Sequence, residues 1–162
     1  MRHSILFLLV LLCCGYVACG SLGCNSQNKG PLTIADLLAR ARTAKSPEGK
    51  ARELVKVAVQ QVATDKAGAA STLAEALATL PLDGQPLACV PVLTEIAATY
   101  CELGQRSSAQ KAVTKAMTLT DKVTDPLGRS QLLAQIGTVQ GSRQNGLGDA
   151  AAAKSTLAEA SR

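Results

Sequence analysis

The hexapeptide Ser71-Thr72-Leu73-Ala74-Glu75-Ala76 returns unchanged as Ser155-Thr156-Leu157-Ala158-Glu159-Ala160. Between the two, Lys111-Ala112-Val113-Thr114-Lys115-Ala116 fills the same place in a middle copy. A second ladder runs in step with the first. Pro47, Pro86 and Pro126 stand 39 and 40 residues apart. Leu54, Leu93 and Leu133 each follow 7 residues after, Val57, Ile96 and Ile136 10 after, and Ala58, Ala97 and Gly137 11 after. A chain that repeats at this period makes one supersecondary unit several times over, and each unit buries its apolar face only against its neighbours.

Each unit contains two helical stretches. Leu93, Ile96, Ala97 and Tyr100 recur at three- and four-residue steps, as do Ala109, Val113, Ala116 and Met117, which is the signature of one buried helix face. Ser46-Pro47 and Asp125-Pro126 are strong helix starts, a capping side chain followed by a proline whose missing N–H costs nothing there. Gln85-Pro86 is a weaker one, and Pro91 predicts a kink or a delayed start. Gly104 suits the end of a helix and Ser107 the start of the next. Residues 34–44 fit the second-helix register of an incomplete leading unit, because Ile34 lies 13 residues before Pro47, as Leu73 does before Pro86. The expected fold class is all-α, an α-solenoid of about seven helices: a leading cap helix plus three antiparallel helix pairs. Repeats are expected over residues 47–85, 86–125 and 126–162, within a helical repeat domain of residues 31–162. Four extra residues in the last unit fall in the glycine-rich stretch 141–148, read as a plain loop because it lacks the Lys-Ser end of a phosphate loop.

The middle unit resembles a tetratricopeptide repeat: Leu93, Ile96-Ala97, Tyr100, Gly104, Ala109, Val113 and Ala116 fall at matching spacings. The flanking units match less closely, with aliphatics in place of large aromatics, and the period exceeds the family's usual one. The resemblance implies a concave surface lined by the first helix of each pair, able to take a peptide or helix. Residues of those helices that point away from the core are expected to be Arg52, Val55 and Val59, then Thr94, Ala98, Cys101 and Glu102, then Gln131, Ala134 and Thr138. They are chiefly small apolar and hydroxyl groups, suited to a helix or an extended apolar segment and not to a peptide carboxylate.

The amino-terminal residues carry a different message. Arg2 and His3 precede an unbroken apolar run from Ile5 to Leu12, too short to span a bilayer as a permanent helix. Residues 1–18 therefore read as a signal peptide and residues 19–30, rich in Gly, Ser, Asn and Gln, as a flexible tether. Tyr16-Val17-Ala18-Cys19 resembles the lipobox of bacterial lipoproteins, with tyrosine at the usual aliphatic position. This implies lipid attachment at Cys19, with Cys24 in Ser21-Leu22-Gly23-Cys24 as the alternative. Plain cleavage after Gly20 is the remaining reading.

Composition then removes whole classes of chemistry. The single histidine, His3, lies in the segment expected to be cut off, so imidazole catalysis and histidine metal sites are not expected. The carboxylates are scattered, and neither a metal nor another cofactor is expected. Cys89 and Cys101 share a helix about 18 Å apart and cannot bridge. Arg40, Arg42, Lys45, Lys50, Arg52 and Lys56 fall close together, diluted by Glu48 and Glu53 and without aromatic platforms, which argues against nucleic acid. The chain reads as a non-enzyme: a protein–protein interaction module or adaptor, exported and lipid-anchored at a bacterial cell envelope, its partner an unknown protein or peptide. The alternatives are a structural, self-assembling envelope component, and a soluble periplasmic or secreted form. A monomer is expected, because the final helix carries mostly Ala and Ser and its Leu157 should face inward.

Overall fold

The computed structural model describes residues 32–81, 83, 85–142 and 146–161. The signal peptide, the tether, Cys19 and Cys24 lie outside the described residues. Seven α-helices and no strands occur among those described: α1 (Ile34–Arg42), α2 (Pro47–Gln61), α3 (Lys66–Thr79), α4 (Pro86–Glu102), α5 (Arg106–Thr120), α6 (Pro126–Gly141) and α7 (Ala150–Ala160).

Local chemistry sets most of these boundaries. Ser46, Asp65, Asp125 and Asp149 each accept a hydrogen bond from the backbone N–H three residues on, at 2.6–3.0 Å. Thr33 and Asp36 form a reciprocal capping box at the start of α1. Gln85 caps α4 with no side-chain bond, as its chemistry predicts. The start of α5 differs from the expectation at Ser107: the N-cap is Gln105, again without a side-chain bond, and Ser107 lies inside the first turn. Gly104, at φ +75°, reverses the chain so tightly that the helix resumes two residues later. Pro91 neither delays nor ends α4, which runs through it from Pro86. Its ring sits early in the helix, where Val90 and Val92 on either side are buried and packing outweighs the lost N–H.

Helices pair as α2 with α3, α4 with α5 and α6 with α7, and successive pairs stack. The first helices α2, α4 and α6 touch in a row, while α1, α3 and α5 each lean on the first helix that follows them. α1 thus plays the part of a second helix and closes the start of the stack. The ladder positions form the core: Leu54, Leu93, Ile96 and Ile136 are completely buried, Leu133 nearly so. Each such side chain contributes about 1.5–3 kcal/mol on leaving water. Ala58, Ala97 and Gly137 keep the paired helices close, and Gly137 has a reason to lack even a methyl: a Cβ there would lie 2.9 Å from Leu157 Cγ. Leu157 itself corrects the inward expectation, being 45% exposed. It lies against α6 on one side only, and no described helix covers the other.

Residues 146–149, which end the stretch that carries the extra residues, lie back on α6, with Leu147 N–H donating to Val139 O at 3.0 Å and Asp149 N–H to Gln140 O at 2.7 Å. Gly146 is required there, since a Cβ would come within 2.1 Å of Val139 O.

Candidate functional site

The row of first helices leaves an open cleft of about 450 Å³ between α2 and α4. One wall is Val55, Lys56, Val59 and Gln60 of α2; the other is Glu95, Ala98 and Thr99 of α4. Three of the residues expected to face a groove therefore meet in one place: Val55, Val59 and Ala98. Val59 is 51% exposed and forms the apolar lip, while Ala98 is half-buried.

Two expected groove positions do not point outward. Val55 is 2% exposed and lies at the base of the α2 wall, because α4 closes over the side of α2 on which it sits. Thr94 is 7% exposed, its hydroxyl turned back to donate to Pro91 O at 2.7 Å. Arg52 is exposed and lines a separate shallow cleft with Ser46, Gly49 and Asp83. Cys101 is half-buried and Glu102 exposed at the far end of α4. Gln131, Ala134 and Thr138 are exposed on α6, away from the cleft. Sequence reasoning missed Lys56, Gln60, Glu95 and Thr99 as cleft residues. The signal was present: Lys56 and Glu95 each follow their opening proline by 9 residues, and Gln60 and Thr99 by 13.

The cleft has a polarity. Lys56 stands on the α2 wall, held by Glu53 one turn away at 2.7 Å. Glu95, on the α4 wall, makes no ion pair among the described residues. The rest of the basic cluster is partly committed elsewhere: Arg42 and Lys50 lie 2.8 and 3.5 Å from Glu75. The hydrogen bond from Arg42 holds the Glu75 carboxyl below the usual range. This is one of three charged contacts that join neighbouring units of the stack. In the second, Lys115 Nζ donates to Leu77 O at 3.0 Å and to Leu80 O, satisfying carbonyls at the end of α3. In the third, Arg129 bridges Asp121 and Glu159 at 3.5 and 2.5 Å.

Burial pushes the Cys89 and Cys101 thiols up in pKa, and neither is bridged. No cluster of three or more His, Cys, Asp or Glu able to hold a metal occurs among the described residues. A third cleft, of about 600 Å³, opens at the other end of the stack, where Val123, Leu127 and Leu133 face Ala160 across Arg129 and Glu159. No described helix is long and apolar enough to cross a membrane. Compared with known protein families, curated proteins and solved structures, the chain matches none.

Proposed function

We propose that this chain is a non-catalytic protein–protein interaction module, carried to a bacterial cell envelope by its amino-terminal signal and held there by lipid on Cys19. The observation that carries the binding part of this reading is the α2/α4 cleft, open and apolar at its centre, with Lys56 on one wall and Glu95 on the other. The tetratricopeptide resemblance of the middle unit supports the same face, since in that family the first helices line the ligand surface. The amino-terminal part of the reading rests on the lipobox-like Tyr16-Val17-Ala18-Cys19.

Two substitutions test it. Ala98→Glu places a charge in the centre of the cleft without touching the core, so partners recovered with the wild-type chain from solubilised membranes should be lost with the variant. Unchanged recovery would remove the cleft from the reading. Cys19→Ser should move the chain from the membrane to the soluble fraction, whereas Cys24→Ser should not. Since a single acyl chain binds only marginally, firm retention of the wild type implies more than one.

A further inference from the structure

The two walls of the cleft are register copies of one another, and this gives the surface a symmetry of its own. Lys56 on α2 and Glu95 on α4 occupy the same position in their repeats, as do Val59 and Ala98 one turn further on. The cleft contains all four of them, so the register copies line it from opposite sides. A two-fold axis running along the cleft, parallel to the helices, would exchange the walls and leave every height unchanged. It would set α2 of one copy against α4 of the other, with Val59 facing the second copy's Ala98 and Lys56, already paired with Glu53 at 2.7 Å, bridging to the second copy's Glu95, which makes no ion pair among the described residues. Both members of each contact then recur on the other side of the axis, which is what an isologous interface requires.

We infer that the partner this cleft fits is a second copy of the chain, docked cleft to cleft as a parallel four-helix arrangement of α2 and α4 with α2 and α4 of the other copy. The inference rests on the interaction reading above and names the occupant of the same surface. Opposed clefts are the ordinary geometry of a four-helix bundle, in which facing helices pack about 8–10 Å apart around apolar residues at the centre. Val59, half exposed in the single chain, and the small Ala98 are suited to that centre. Charge selects the axis. Rotation about a line across the cleft instead of along it would place Glu95 against Glu95 with no cation between them, a repulsive arrangement, and would leave Lys56 with its own Glu53. On α6 the outward residues Ala134 and Thr138 are small, so the third helix of the row leaves room for the other copy. Because the axis parallels the helices, α1 begins at the same end in both copies, as two chains tethered to one membrane need.

The test is a charge exchange at two exposed positions, read by sedimentation equilibrium of the full chain in detergent. The wild type should be a dimer. Lys56→Glu and Glu95→Lys should each weaken association about tenfold or more, because each sets two like-charged pairs face to face. The double variant Lys56→Glu/Glu95→Lys recreates both opposite-charge pairs and should restore the dimer. A helical circular dichroism signal equal to that of the wild type checks the fold of each. A wild-type chain that stays monomeric at about 100 μM would overturn the inference. So would a dimer indifferent to either single change, which would use another face. If the wild type is monomeric while an Ala98→Glu-sensitive partner is still recovered, the second copy is wrong and the interaction reading stands.

Discussion

Two buried polar pairs occupy matching places in the first and last units. Thr72 Oγ1 donates to Gln61 Oε1 at 2.9 Å, and Thr156 Oγ1 to Gln140 Oε1 at 2.8 Å. In the middle unit the same positions hold Tyr100 and Ala112, both buried, so a large aromatic and a methyl replace the hydrogen-bonded pair. The substitution is coupled, as the physics demands: a buried acceptor without its donor costs about 1–3 kcal/mol, whereas exchanging both partners for apolar groups is nearly neutral. Thr72→Val keeps the shape and removes the donor, and should lower stability by roughly 1–3 kcal/mol in chemical denaturation. Adding Gln61→Leu should recover most of that loss. A double variant no more stable than the single one would show that the pair is not coupled.

Among the helices, α4 departs furthest from local preference. It starts at an uncapped Gln85 and carries Pro91 inside, yet it is among the most thoroughly buried, with Cys89, Val90, Val92, Leu93, Ile96 and Ala97 all at 1% exposure or less. Packing from α2, α5 and α6 holds it against its own propensity. Pro91→Ala returns the N–H and removes the ring, while the unfolded chain gains freedom that offsets part of the benefit. The net effect should be a gain of roughly 1–3 kcal/mol, seen as a higher melting temperature. A loss would mean that the proline shapes a kink on which the packing of α4 depends. The sequence foretold the weak cap and the strain; it did not foretell that the helix would begin at Pro86 regardless, because that depends on neighbours remote in sequence.

In the assembled stack, burial is greatest in the middle and falls at the last helix. Leu93 is completely enclosed, and its replacement by Ala should cost about 2–5 kcal/mol, a large part of the total for a domain of this size. Leu157, at the matching step of the repeated hexapeptide to the completely buried Leu73, is 45% exposed, and Leu157→Ala should cost less than about 1 kcal/mol. Equal losses at the two sites, measured by thermal unfolding, would mean that Leu157 is covered in solution. Leu54, nearer the start, is as enclosed as Leu93 because α1 covers that end. Position within the stack, and not residue type, separates these three leucines.

Periodicity alone determined the all-α class, the seven helices, their pairing and nearly every core position, since apolar spacing and a 39–40-residue repeat leave one economical way to bury the ladder residues. The cleft was only half legible. A helical wheel locates Val59 and Ala98 away from the pair's own core, but it carries no information on how closely the next unit's helix approaches. That approach buries Val55, and bonding within α4 turns the Thr94 hydroxyl inward. It also brings Lys56 and Glu95 to opposite walls of one cleft, although each reads in sequence as an ordinary solvated charge. The repeat sets heights along the helices; the lateral packing of one unit on the next sets which side chains meet. The first is written in local spacing, and the second arises only when residues 39 apart come into contact.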